Sequence, residues 1–244
     1  MEKNELQIII EPSQSDLSKI EEWLKIEFEE EDEGFYHNWL SIKESPSKNE
    51  IIVLSKNNYP IGFVTYYGHE KHIKIGIFAI EPKYRRKGYG KVFYEKIAEH
   101  FKKENYVAIK LFCRPSTSES FWKKVGFIKY PDLKDGVEPL TYYKPIIKTQ
   151  PLSNANSDRK LELWNLEPSQ LNNNPPKWTW DLNTDYEEVI LPIIHPCRKH
   201  WNLRWTENGK TIFNDQVKYF EHAGKSIYFH PFLYIPSPTR VNND

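Results

Sequence analysis

A basic, glycine-containing turn near the middle of the chain constrains its fold more than any other segment. The turn, KYRRKGYG at residues 83–90, follows an apolar strand pattern at 73–80 and leads into apolar residues at helical spacing. A helix N-terminus presents unpaired N–H groups and the positive end of the helix dipole, and glycine lets an anion approach the backbone. The segment therefore predicts a strand–turn–helix unit that binds an anionic group. The alternative interpretation is a solvated basic turn without a ligand.

Two common nucleotide-binding motifs do not fit this turn. A Walker loop requires Ser or Thr after its Gly-Lys pair, whereas Gly90-Lys91 is followed by Val92. A dinucleotide-binding fingerprint requires a third glycine at the position of Phe93. The sequence therefore excludes both motifs, and the anion must belong to another class of ligand.

Strand and helix patterns alternate through the first 147 residues, in the order β-α-α-β-β-β-α-β-α-β-β. Ser13 and Asp16 form a capping-box pattern before the first helix, and two further helices are predicted over 35–43 and 116–125. This order predicts a mixed α/β fold of the α+β type.

The composition changes near residue 150. Residues 148–160, KTQPLSNANSDRK, are polar and without periodicity, which predicts a linker. Five of the eight tryptophans and nine of the seventeen prolines lie beyond residue 147, so we expect a separate small α/β module over 161–244. Within it, Asn208-Gly209 predicts a hairpin turn, 214–224 a helix ending at Gly224, and 225–235 a strand.

Charge and cysteine content exclude several classes of protein. Acidic and basic residues balance at 34 each, which disfavours a nucleic-acid-binding protein. Cys113 and Cys197 provide no disulfide framework, and no apolar run has the length of a signal peptide core or a membrane span. We therefore expect a cytoplasmic protein that does not bind membranes.

The histidines of the C-terminal module raise the question of a metal. The segment HPCRKH places His195, Cys197 and His200 close together, and His222 and His230 follow. This spacing matches no common structural zinc site, because a second pair of ligands is missing. No metal is expected.

Two segments together resemble the GNAT superfamily of N-acetyltransferases. IGIFAIEPKYRRKGYG is similar to its acetyl-CoA motif, in which a strand and a proline-containing turn lead to Arg/Gln-x-x-Gly-x-Gly/Ala. SESFWKKVGF, after the next strand, is similar to its second motif, which ends in Gly-Phe. The resemblance covers residues 1–147 and implies a mostly antiparallel central sheet flanked by helices. It implies acetyl-CoA as co-substrate and an amine as acceptor.

The resemblance also implies which residues contact acetyl-CoA. Backbone groups on a splayed strand would pair with the pantetheine arm, N–H groups of the turn would hold the pyrophosphate with added basic side chains, and two aromatic residues would border the cofactor. The implied cofactor-binding residues are Phe78, Ala79, Ile80, Arg85, Arg86, Lys87, Gly88, Tyr89, Gly90, Lys91, Phe121 and Trp122.

The sequence departs from the family at two catalytic positions. Lys74 stands where many members have a glutamate base, and Trp122 stands where many have a tyrosine that protonates the leaving thiolate. A lysine ammonium is not a base near neutral pH, and an indole offers only its N–H. His72, on the same predicted strand face as Lys74, is a candidate base through water, and Ser118 is a candidate hydrogen-bond partner of the sulfur. The alternative is an ordinary strand histidine and an ordinary helix serine.

Two features bear on the acceptor. Lys74 is a candidate to hold an acceptor carboxylate, which favours a small α-amine or an acidic metabolite over a lysine side chain. The acidic run EFEEEDE at 27–33 borders the acceptor site in the family and would attract a cationic amine, although a solvated helix end is the simpler interpretation.

Two functions remain open from the sequence. The first is an N-acetyltransferase that moves the acetyl group directly from acetyl-CoA to a small-molecule or protein amine. The alternative is a non-catalytic, CoA-binding regulatory protein whose C-terminal module binds a partner. The sequence leaves open the role of that module. It also leaves open the oligomeric state, and a homodimer is one possibility.

Overall fold

A computed structural model describes residues 5–131, 139–154, 157–183, 190–222, 227–229 and 231–236. The chain divides into two compact units, Met1–Ile146 and Ile147–Asp244. Each unit has its own sheets. The boundaries predicted from the sequence, a first domain over 1–147, a linker over 148–160 and a module over 161–244, stay a prediction.

The first unit contains the elements predicted from the sequence, in the predicted order. Its strands and helices are β1 (Leu6–Ile9), α1 (Gln14–Glu31), α2 (Trp39–Glu44), β2 (Ile51–Lys56), β3 (Tyr59–Gly68), β4 (His72–Ile80), α3 (Tyr89–Lys103), β5 (Ala108–Phe112), α4 (Glu119–Lys124), β6 (Ile128–Lys129) and β7 (Thr141–Pro145). Ser13 and Asp16 form the predicted capping box at the start of α1. The predicted helices at 35–43 and 116–125 each begin with a short 3₁₀ turn, Tyr36–Asn38 and Ser116–Ser118.

One seven-stranded sheet organises the first unit, in the order β1-β2-β3-β4-β5-β7-β6. Every neighbouring pair is antiparallel except β4 and β5, which run parallel. Apolar side chains fill both faces of the sheet: α1 and α2 cover one face around Ile20 and Leu24, and α3 and α4 cover the other around Phe93 and Trp122. This mixed, mostly antiparallel sheet flanked by helices confirms the predicted fold class.

The second unit consists mainly of strands. They are β8 (Lys160–Leu163), β9 (Trp178–Asp181), β10 (Ile193–Pro196), β11 (Asn202–Glu207), β12 (Lys210–Gln216), β13 (Ile227–Phe229) and β14 (Phe232–Ile235), with one short helix, α5 (Val217–His222), between β12 and β13. They form a four-stranded sheet, β12-β11-β8-β9, and a three-stranded sheet, β10-β14-β13. β11 and β12 form the predicted hairpin, with Asn208 and Gly209 both at positive φ.

Two predictions for the second unit differ from the structure. The strand predicted over 225–235 is wrong: β13 and β14 are separate strands that pair antiparallel with each other, and Pro231, which has no N–H to donate, lies between them. The helix predicted over 214–224 begins at Val217, since residues 214–216 belong to β12. The segment predicted as a linker stays a prediction, and it forms hydrogen bonds from the Gln150 N–H to the Pro192 carbonyl and from the Ser153 N–H to the Thr179 carbonyl. The predicted helix end at Gly224 lies outside the described residues.

Candidate functional site

The strands β4 and β5 separate soon after they begin to pair. They share three residue pairs, His72 with Ala108, Ile73 with Ile109 and Lys74 with Lys110, and β4 then continues to Ile80. The N–H groups of Ile77 and Glu81 point toward β3, to Thr65 Oγ1 and the Ile61 carbonyl, at 2.9 Å each. Because backbone groups alternate along a strand, those of Phe78 and Ile80 point into the gap.

A β-bulge shapes β4 where the gap opens. Tyr66 pairs with Ile75 and Val64 with Phe78, so β4 has one more residue than β3 over this stretch. Gly76 is the residue for which the bulge leaves no room, since a Cβ there would lie 2.9 Å from Thr65 Oγ1. The bulge therefore requires glycine and brings bare backbone to the surface of the gap.

Two adjoining cavities occupy this region. The gap cavity, about 430 Å³, runs from the bulge to Arg85 and Arg86 and is lined by Phe78, Ala79, Ile80, Ser118 and Trp122 among others. The open cavity, about 840 Å³, lies over Lys74, Tyr67 and Asn38. Both cavities are lined by the segment 33–35, by Ile75, Gly76 and Ile77, and by Phe112 and Arg114. A ligand in one cavity is thus adjacent to a ligand in the other.

The turn after β4 presents unbonded N–H groups at the start of α3. Arg86 and Gly88 have positive φ values of 58° and 84°, so the chain changes direction twice before Tyr89 begins the helix. Within the described residues, the N–H groups of residues 86–91 have no backbone or side-chain acceptor, and the Gly88 position has no atom within 4 Å of where a Cβ would lie. This is an open anion-binding cradle at a helix N-terminus.

The basic side chains of the turn differ in their freedom. Arg85 donates from Nε to the Ile80 carbonyl at 2.7 Å and pairs with Glu27 at 2.6 Å. Lys87 donates to the Lys83 carbonyl, and Lys91 lies 3.8 Å from Glu95. In the part of the chain that the structure describes, Arg86 has no ion pair. Its guanidinium is therefore the cation of the turn that is most available to an anionic ligand.

Glu27 is a site residue that the sequence analysis did not single out. Its side chain is 3% exposed, one carboxylate oxygen pairs with Arg85, and the other has no hydrogen-bond partner. Gly34 packs against it, where a Cβ would lie 2.9 Å from the carboxylate. Glu27 follows Ile20 and Leu24 at helical spacing, on the buried face of α1. This spacing could have predicted that Glu27 is buried, unlike the exposed acidic residues that follow it.

Aromatic rings form the α3–α4 side of the gap, and we call them the aromatic wall. Phe78 stacks on Phe121 with 5.7 Å between centroids and meets Trp122 edge-on at 5.2 Å. Gly90 is packed beneath Phe121, whose ring would lie 3.2 Å from an added Cβ. Trp122 is buried and lines the gap cavity.

The candidate catalytic residues fall in different places. His72 is buried, stacks on His69 at 4.6 Å and lines neither cavity. Ser118 lines the gap cavity and donates its hydroxyl proton to the Pro115 carbonyl at 2.8 Å. Lys74 is exposed and lines the open cavity. The structure thus brings Ser118 and Lys74 to the cavities and separates His72 from them.

The second unit holds the histidine and cysteine of the HPCRKH segment in its interior. His195 and Cys197 are buried, and burial lowers the pKa of His195 to about 4 and raises the pKa of Cys197. Among the residues described, no group of three His, Cys, Asp or Glu side chains is placed to hold a metal ion. His230 and the side chain of His222 lie outside the described residues. No described helix is both long and apolar enough to cross a membrane.

Comparison with known proteins adds a family to this geometry. Solved structures to which the chain is similar include a GNAT-family acetyltransferase from Staphylococcus aureus Mu50, at 16% identity over 59% of this chain and 100% of that chain (TM-score 0.46). They also include the ribosomal-protein-S18-alanine N-acetyltransferase from Escherichia coli, at 15% identity over 59% of this chain and 96% of that chain (TM-score 0.44). The GNAT-family protein YhbS from Escherichia coli, in complex with CoA, is 13% identical over 59% of this chain and 81% of that chain (TM-score 0.46).

No curated protein sequence matches the chain. The model of the acetyltransferase (GNAT) family matches residues 17–127, a range that begins in α1 and includes the gap, the cradle and the aromatic wall. The first unit therefore contains a GNAT-family acetyltransferase domain at residues 17–127.

Proposed function

We propose that the first unit transfers an acetyl group from acetyl-CoA to an amine. The observation that carries the proposal is the gap between β4 and β5, which leads from the bulge at Gly76 to the unbonded N–H groups of residues 86–91. A long ligand with an anionic centre fits this arrangement, because its arm can lie in the gap while its phosphates meet the cradle.

The backbone of β4 supplies partners for the pantetheine arm. Phe78 offers both its N–H and its carbonyl to the gap, whereas the carbonyl of Ile80 already accepts from Arg85 and leaves only the N–H. The N–H groups of the cradle and the side chain of Arg86 would neutralise the pyrophosphate. Acetyl-CoA supplies an activated acetyl thioester.

The open cavity would hold the acceptor beside the bulge. The amine nitrogen forms a bond to the acetyl carbon and the carbon–sulfur bond breaks, and the proton that the amine loses is balanced by the proton that the leaving thiolate takes up. His72 lines neither cavity, whereas Glu27 and Glu33 are among the residues that line the gap cavity. Ser118, at the same cavity, is the proposed hydrogen-bond partner of the leaving sulfur.

The test combines binding with turnover. Calorimetry is expected to show binding of acetyl-CoA and CoA, and a thiol-release assay with a panel of amines, amino acids and peptides is expected to show transfer. No binding of either ligand would contradict the proposal. Binding without transfer to any amine would favour the non-catalytic, CoA-binding alternative.

A further inference from the structure

Two lysines lie side by side where β4 and β5 pair. Lys74 and Lys110 are register partners on the two strands, so their side chains leave the same face of the sheet. Lys74 is exposed on the wall of the open cavity, and Lys110 is half-buried beside it. Like charges on neighbouring strands repel each other, so this arrangement costs stability unless something neutralises it.

No side chain in the described residues neutralises the pair. Neither lysine forms an ion pair there, and the Lys110 ammonium instead lies 5.1 Å from the ring centroid of Tyr130. Burial and the charge of Lys74 both lower the pKa of Lys110. Arg114, which lines the same open cavity, also has no ion pair among the residues described.

Several basic side chains elsewhere in this unit do have acidic partners. Arg85 pairs with Glu27, Lys83 with Glu81 at 2.6 Å, and Lys123 with Glu119 at 2.8 Å. The only carboxylate among the described walls of the open cavity is that of Glu33. Lys74 and Arg114 therefore outnumber the one carboxylate on the described walls of this cavity, which carry a net positive charge.

We infer that the acceptor amine carries a carboxylate, which Lys74 holds beside the bulge during transfer while the neighbouring charge of Lys110 adds to the attraction. The inference rests on the proposed function and names the acceptor class for that same site. The carboxylate is unchanged by the reaction: it orients the amine, and it removes the repulsion between the two lysines while the acceptor is bound.

Matched acceptors test the inference. Wild-type protein is assayed with free amino acids and with the corresponding amino acid amides, which have the same amine and no carboxylate. We expect kcat/KM to be at least about tenfold higher for the acids. Lys74→Gln is expected to remove this preference, whereas Lys102→Gln, an exposed lysine on the last turn of α3, is expected to keep it.

Stability gives a second readout that needs no turnover. Without ligand, Lys74→Gln is expected to raise the melting temperature by about 1–3 °C, because it removes a like-charge neighbour, and Lys102→Gln is expected to leave it unchanged. A lower melting temperature for Lys74→Gln would overturn the inference, since it would mean that the lysine already has a stabilising partner.

The outcomes separate the inference from the function on which it rests. Equal kcat/KM for acids and amides, with acetyl-CoA bound and transferred, would overturn the inference alone. Binding of acetyl-CoA without transfer to any amine would overturn both.

Discussion

At the scale of single residues, the cradle depends on backbone that only glycine adopts readily. Gly88 has a φ of 84° and lies next to open space, so it is required for its conformation and not for lack of room. Gly90 is the opposite case, because Phe121 packs against it. A change at Gly88 therefore tests the cradle without disturbing the aromatic wall.

We predict that Gly88→Val lowers the affinity for acetyl-CoA by more than about tenfold. A β-branched residue disfavours positive φ and would turn the N–H groups away from a common point. Gly209→Val is the matched control, because Gly209 has a similar φ of 73° in the hairpin of the second unit. Calorimetry on both variants, with melting curves, checks the prediction. Unchanged affinity in a folded Gly88→Val variant would contradict the role of the cradle.

At the scale of secondary-structure elements, one ion pair joins α1 to the turn before α3. Arg85 connects the buried carboxylate of Glu27 to the end of β4 through the Ile80 carbonyl. The two partners are unequal, because Glu27 is buried and Arg85 is about 39% exposed. Without its partner, the Arg85 guanidinium can rotate into solvent, whereas the Glu27 carboxylate stays buried.

We predict that Arg85→Met destabilises the first unit more than Glu27→Gln does, by roughly 1–3 kcal/mol. The first change leaves a buried carboxylate without its counter-charge, and the second removes that charge. The double variant is expected to recover most of the loss. Urea unfolding of the two single variants and the double variant measures the cycle, and a greater loss from Glu27→Gln would contradict the argument.

Element β10 carries a pH-dependent contribution to stability. The pKa of His195 is about 4 in the folded protein, below its usual value of 6.5, because burial disfavours the imidazolium. The unfolded chain therefore binds a proton more readily between pH 6.5 and 4, so stability falls as the pH drops through that range.

We predict a loss of about 3 kcal/mol from this residue between pH 7 and pH 4, which His195→Gln removes. Trp178 and Trp180 lie 4.4 and 5.5 Å from the imidazole, so tryptophan fluorescence reports the unfolding of this region. The measurement compares urea unfolding of both proteins across the pH range. Parallel curves for the two proteins would contradict the prediction.

The order of elements in the first unit could be predicted because apolar periodicity and caps are local signals. The capping box at Ser13 and the turn at 83–90 both lie within a few residues of the structure they specify. The pairing of Lys74 with Lys110 and the burial of Glu27 could not be predicted from the sequence. Each depends on which strand or loop packs beside the residue in the folded chain. Pro231 could have predicted a break between two strands, because proline lacks the N–H that a continuous strand would donate. The apolar residues on both sides of it favoured a single strand instead.

At the scale of the whole molecule, every residue placed in the site belongs to the first unit. The gap, the cradle and the open cavity all lie within residues 5–131. We therefore propose that the first unit is an independent acetyl-CoA-binding domain, with the second unit as a separate module.

A fragment ending at residue 147 is expected to bind acetyl-CoA with a Kd within about threefold of that of the full chain. Calorimetry on the fragment and the full chain measures this. The fragment with Gly88→Val serves as control for non-specific binding. A fragment that is folded by circular dichroism but does not bind would contradict the proposed division.

The short pairing of β4 with β5 also makes a weak seam through the first unit. Only three residue pairs join β4 to β5, and beyond them the side of β5 that faces β4 has no strand partner, so exchange of the amide hydrogens there depends on fluctuations of that seam. A ligand that hydrogen-bonds along the gap would act as a clasp across it. The Cys113 N–H donates to the Leu140 carbonyl on the β7 side, so the N–H of Phe112 points the other way, into the gap. Hydrogen exchange at Phe112 is therefore expected to slow by about tenfold or more with bound CoA, whereas exchange in β1 and β2 is expected to change little.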